Sequence, residues 1–256
     1  MRGRTDATLI EQGGFRMSGL ELLRFCVGGA SLLYASYADV KTREISDVVW
    51  ALMATCGVAF LAFDFSYGIL QPSQVLKSVL VAAALAFLLL LLNFGGADAK
   101  ALLAISVLFP SFPAFTASVP PLGVFVLSVL TNALVLSLST PLSLFFYNAF
   151  KGNFSPLMFL GYKVRVSELQ AKKHIKLMHE LRSCNGRSEG TAGKYELRYV
   201  WGGIEPSDEI LKLLKQSGLL EVWVTPQMPF LVYLTIGFFI AATYGDIVFN
   251  LLRSIY

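Results

Sequence analysis

The chain has 256 residues, 55% of them hydrophobic and 15% charged, with a mean hydropathy of +0.62 and a formal net charge of +4. Soluble domains carry about a quarter charged residues, so this composition excludes one large soluble core and points to a polytopic membrane protein. The surplus of 21 Lys and Arg over 17 Asp and Glu is modest and suits cytoplasmic loops better than a nucleic-acid surface.

Residues 1–16 are polar and carry three arginines. They read as an added leader or flexible tail, with Met17 available as the natural start. A first apolar span runs from about Leu20 to Ala38, with Glu21 and Arg24 near its outer end, where they must snorkel or sit in the interface. A polar loop from Val40 to Asp47 leads to a second span, about Val48 to Phe63, which ends at Asp64, an interfacial residue beside the turn marked by Gly68 and Pro72. The third span, about Val75 to Phe94, contains no charge from Val79 onward. It delivers the chain to Gly95-Gly96-Ala97-Asp98. The fourth, about Ala101 to Phe109, continues irregularly past Pro110 and Pro113 to Ser118. A fifth covers about Leu122 to Phe150 and is longer than a bilayer needs, with Pro141 predicting a kink or tilt. The last runs from about Pro229 to Leu252 and is apolar except for Asp246 near its end.

The organisation expected is an all-α membrane protein with six transmembrane helices and a small α+β insert before the last: leader 1–16, membrane domain 17–150, cytoplasmic soluble domain 151–227, and a final helix within 228–256. Within the insert, Ser167-Glu-Leu-Gln170 matches a capping box and predicts a helix to about Arg182. Asn185 to Gly193 reads as a loop and Tyr195 to Trp201 as a strand. Ser207 caps a helix that stops at Gly218, and Leu219 to Val224 is a second strand. His174 and His179 stand five apart on the predicted helix, off the spacing that stacks two ligands on one face. With no C-x-x-C among Cys26, Cys56 and Cys184, no metal site or disulfide framework is supported.

Charge predicts orientation. Lys41, Arg43 and Lys100 flank the loops after the first and third spans, and twelve more Lys and Arg lie between Lys151 and Lys215, whereas the loops at 68–73 and 110–121 have none. The positive-inside rule places both loops and the insert in the cytoplasm and both termini outside.

Two carboxylates stand out against this background. Asp98 follows a glycine pair at the end of the most apolar run, and Asp39 ends the first span. An intervening hairpin of two spans returns the chain to its starting side, so the two emerge on the same membrane face. A carboxylate pair sharing one proton can activate water while protonating a scissile amide, and low dielectric widens the gap between the two titrations. Gly95 and Gly96 permit unusual dihedrals and close approach of a substrate segment. The plainer reading makes each aspartate an interfacial residue or helix cap, Asp98 capping the fourth span.

Asp39-Val-Lys-Thr-Arg-Glu-Ile45-Ser46-Asp47 resembles the D-x-x-x-x-x-I-[PS]-[ND] segment of prepilin-type peptidases, and Gly95-Gly96-Ala97-Asp98 resembles their G-x-G-D motif. From Met17 onward the layout is similar to that of archaeal preflagellin peptidases. Ala97 departs from the motif's second glycine and raises the question of a positive φ there. The resemblance implies a membrane aspartic endopeptidase, without cofactor, metal or nucleic-acid partner. It would remove the short basic leader of preflagellin or type IV pilin-like precursors at the cytoplasmic membrane face, with Asp39 and Asp98 as catalytic pair. Glu44 and Asp47 could attract the basic leader. The paired cysteines of the bacterial, methylating branch are missing, so no methyltransferase activity is implied. Two competing readings are a presenilin-like intramembrane protease, which would want a Tyr-Asp pair and a Pro-Ala-Leu triplet, neither present, and a proton-coupled transporter using the aspartates as a relay, which would want paired repeats. A third, non-catalytic reading is a membrane scaffold that uses the insert as a docking module.

Overall fold

The computed structural model describes residues 19–92, 94–172, 174–183 and 195–255. The predicted leader 1–16, the start at Met17 and the predicted loop 185–193 lie outside them. The chain divides into two units, one formed from Met1–Leu136 with Pro229–Tyr256, the other from Ser137–Met228.

The first unit is helical. Helix α1 (Gly19–Thr42) is followed by α2 (Asp47–Ser66), capped by Ser46, whose side chain accepts from Val48 N–H. Then come α3 (Pro72–Leu91) and α4 (Gly96–Leu108). Among the described residues, Asp47–Ser66, Pro72–Leu91 and Phe125–Phe150, the last interrupted at Leu138, are helical stretches long and apolar enough to cross a membrane, and a bent pair near the C-terminus adds a fourth. At 1.5 Å per residue, the 13 residues of α4 reach only about 20 Å. The chain then runs without helix or strand from 109 to 124, with Phe109 and Phe115 buried. Its backbone is satisfied by protein: Ala117 N–H donates to Thr243 C=O at 2.9 Å and Ala114 N–H to Glu21 Oε1 at 3.0 Å. Irregular backbone in an apolar surround requires such partners.

The fifth predicted span is two helices, α5 (Phe125–Ser137) and α6 (Ser139–Phe150). They meet at Leu138, three residues before Pro141, whose ring and missing N–H disrupt the preceding turn. The last predicted span is not one continuous helix. It is α8 (Phe230–Thr243) and α9 (Ile247–Ile255), bent by 52°, which follow α7 (Asp208–Gln216) of the second unit in the chain. Gly245 at the break takes φ +99°, and a Cβ there would collide with the carbonyl oxygen of Ser118. Fully buried Asn132 on α5 replaces the missing helical hydrogen bonds: its Nδ2 donates to Gly245 C=O at 2.9 Å and its Oδ1 accepts from Ile247 N–H at 2.8 Å. Asp246 caps α9 by accepting from Phe249 N–H and also accepts from Thr131 Oγ1. Asn132→Ala orphans two backbone groups and is expected to destabilise the protein by about 2 kcal/mol, read as a lowered unfolding midpoint in detergent; an unchanged midpoint would contradict this account of the break.

Helices α1 and α8 are joined by hydroxyl contacts. Ser36 Oγ and Thr235 Oγ1 lie 2.6 Å apart, and Thr235 Oγ1 also reaches Leu32 C=O. Small residues permit similar closeness elsewhere: a Cβ on Gly237 of α8 would sit 2.6 Å from Val129 C=O of α5.

Two charges expected to face the headgroups separately instead face each other. Arg24 of α1 and Asp64 of α2 form a buried ion pair, Nη2 to Oδ2 2.7 Å, with side chains 11% and 6% exposed. The Arg24 guanidinium also lies over the Phe60 ring. Neither snorkels to solvent, because each supplies the other's countercharge.

In the second unit, a four-stranded antiparallel sheet has the order β1-β4-β2-β3, with β1 Tyr162–Arg165, β2 Ile175–Ser183, β3 Tyr195–Ile204 and β4 Glu221–Pro226. The helix predicted from Ser167 to Arg182 is absent. Its start is a short 3-10 segment, Val166–Ala171, and its remainder is β2. Ile175 and Leu177 of β2 enter a core with Val164, Val222 and Val224, the every-second-residue pattern of a strand. Helix α7 (Asp208–Gln216), capped by Ser207 as expected, adds Leu211 and Leu214 to that core. The two histidines therefore share no helix. His174 adopts φ 57° ahead of β2, and His179 sits on β2 opposite Tyr199, where burial pushes its imidazole pKa below the usual value. Helix α6 belongs to this unit through Asn148, whose amide donates to the carbonyls of Met158 and Gly161, and through Phe145, which stacks on Phe159.

Candidate active site

Asp39 occupies the last turn of α1 and Asp98 the first turn of α4. Asp98 therefore precedes the apolar part of α4 and lies outside the candidate spans. It is 6% exposed. Its carboxyl pKa is raised from 3.8 to about 7, first by burial and second by the negative charge of Asp39; a hydrogen bond from the Gly95 backbone pulls the other way. Gly95 is the N-cap of α4 and Asp98 stands three residues on, in the first turn. The pull of the Gly95 backbone is outweighed by burial and by the charge of Asp39.

The motif glycines act differently from expectation. Gly95 is extended at φ −63°, ψ 143°, a conformation open to any residue. Its missing side chain matters through space, because a Cβ would stand 3.3 Å from Asp98 Oδ2. Gly96 has nothing within 4 Å of where a Cβ would be. Ala97 lies inside α4 and packs against the core. Among the described residues the non-glycine positions with positive φ are Arg43 and His174, so alanine at the motif's third place carries no backbone strain.

Asp39 is half-buried and faces Arg43, with Nη1 to Oδ1 3.6 Å. The loop after α1 brings two further carboxylates nearby in sequence, in different settings. Asp47 is exposed and bridged to Lys100 of α4 at 2.5 Å, tying the start of α2 to the turn that carries Asp98. An exposed pair of this kind contributes at most about 1 kcal/mol. Glu44 is exposed and lines an open groove of about 540 Å³ with Tyr34, Tyr37, Lys41 and Ile45. Sequence reasoning assigns Arg43 only to topology; the signal for more is its place four residues after Asp39.

Chemically, this end of the unit offers one carboxylate held beside a cation and one buried carboxylic acid that feels the first one's charge. Such an arrangement can take a proton from water at one group and give one at the other.

Two family models match the chain. The Type IV leader peptidase family matches residues 26–140, and the Archaeal Peptidase A24 C-terminus Type II matches residues 155–247. The chain is 29% identical to a preflagellin peptidase of Methanocaldococcus jannaschii over 92% of its own length and 99% of the relative's. It is 28% identical to one from Methanococcus voltae and 25% to one from Methanococcus maripaludis, in each case over 90% of this chain and 99% of the relative.

Proposed function

Because the chain belongs to the type IV leader peptidase family, we propose that this membrane peptidase is an aspartic endopeptidase that removes the short basic leader of preflagellin or type IV pilin-like precursors. The relatives' shared name supports the substrate class. What carries the mechanism is the buried Asp98, whose carboxyl is raised to about 7 by burial and by the charge of Asp39.

In this reading Asp39 is the base and Asp98 the acid. A water held between them gives a proton to the Asp39 carboxylate as its oxygen bonds to the scissile carbonyl carbon, while Asp98 protonates the carbonyl oxygen. The proton on Asp39 then passes to the amide nitrogen and the proton of the tetrahedral intermediate returns to Asp98 as the C–N bond breaks. The leader carboxylate and the mature chain's amine are released, and both aspartates regain their starting states. No metal or cofactor is required.

Six crossings, with residues 151–227 and both aspartates on the cytoplasmic side, accord with the distribution of Lys and Arg. A precursor's hydrophobic helix would then lie in the bilayer with its basic leader in the cytoplasm. Glu44 in its open groove would attract that leader, and Asp47 would do so once a leader cation displaces Lys100. Membranes containing the protein, incubated with a preflagellin-like precursor, should shorten it by the leader alone. An intact precursor after prolonged incubation would refute this function.

A further inference from the structure

Arg43 has a backbone no sequence rule assigns to it. Its φ of 59° lies in the left-handed region, which costs a long side chain about 1 kcal/mol or more. Glycine or asparagine would take that place after a helix more cheaply. The turn nevertheless has a definite product. Arg43 N–H donates to Asp39 C=O at 3.2 Å, closing the end of α1, and the side chain folds back until Nη1 is 3.6 Å from Asp39 Oδ1. The two side chains are 22% and 14% exposed, so solvent and salt screen the pair only partly.

The other charges around Asp39 have their own contacts. On α1, Lys41 donates to Tyr37 Oη. On α4, Asp98 opposes Asp39 with like charge and Lys100 binds Asp47 of α2. Glu44 lines the open groove. Helix α8, packed on α1, has no charged residue. Among the described residues, Arg43 makes an ion-pair contact with Asp39.

We infer that Arg43 is a positioning residue which fixes the negative charge on Asp39 and thereby assigns the two carboxylates their roles, Asp39 as base and Asp98 as acid. The inference rests on the catalytic reading of the pair. Asp98 is the more buried of the two, yet coupled carboxylates still divide one proton between them and populate the unproductive arrangement unless a neighbouring charge separates them further. A fixed cation 3.6 Å from one of them removes that ambiguity, and the strained turn is what puts it there.

The test is the pH dependence of leader cleavage in membranes for the wild type, Arg43→Gln, Arg43→Gly and Arg43→Lys. With the cation removed, the acid limb of kcat/KM should move to higher pH by about one unit, and the maximal rate should fall about tenfold. Glycine relieves the φ strain yet should show the same shift as glutamine. Lysine should hold the limb near its wild-type position. An unshifted profile in both Arg43→Gln and Arg43→Gly, with Asp39→Asn and Asp98→Asn inactive, would overturn the role of Arg43 while leaving the catalytic pair intact. Cleavage by Asp98→Asn would instead overturn the reading on which it rests.

Discussion

Asp98→Asn and Asp39→Asn should each reduce leader cleavage by at least about 10³-fold, because each removes one of two proton carriers acting as a unit. The amide keeps the size of Asp98 in its buried site, and it spares that site the desolvation that raises the carboxyl to about 7. The variant protein should therefore fold and insert at least as well as the wild type, and lost cleavage reports chemistry. Asp98→Glu separates charge from position. Its added methylene would push the carboxyl out of the space left by Gly95, where a Cβ would already lie 3.3 Å from Oδ2; misplacement by about 1 Å costs on the order of 100-fold. Rates within about threefold of wild type in any of these variants, measured on precursor in membranes, would remove that residue from the mechanism.

Asp64→Ala should have the largest effect on stability. The pair it forms with Arg24 is buried, and Arg24 keeps its charge without a partner once Asp64 is gone. Breaking a pair of this kind costs about 3–5 kcal/mol, whereas replacing both members by apolar residues is close to neutral. Glu21, one turn from Arg24 and lining the same cavity of about 210 Å³, could take over part of the neutralisation, which sets the expectation at the lower end. Arg24→Met combined with Asp64→Leu should then recover most of the loss in unfolding midpoint. A double variant as unstable as Asp64→Ala would show that the charges, and not their pairing, hold α1 to α2.

Sequence range decides which of these features can be read from the residues alone. Asp39 and Asp98 announce themselves because an ionisable group at the edge of an apolar run is costly, and hairpin counting alone brings them to one end of the helices. The capping box at Ser167 misleads because a local start signal carries no information about the residues beyond the first turn. The alternation of Ile175, Leu177, His179 and Leu181 marks β2 and is the better guide. The ion pair of Arg24 and Asp64 spans 40 positions, so neither residue's surroundings reveal the other. The break in the last span is signalled by Gly245-Asp246, but its repair by Asn132 depends on packing between distant helices. The left-handed turn at Arg43 has no local cue, since the residue type argues against it.

Catalysis in this mechanism needs a protonated Asp98 beside an ionised Asp39, and the alkaline side of the pH–rate profile tests that requirement most directly. The proton on Asp98 is present below about 7 and lost above it, so leader cleavage in unsealed membrane fragments should fall as pH rises through about 7, close to tenfold for each further pH unit. Cleavage that stays level or increases from about pH 7 to about pH 9 would contradict it.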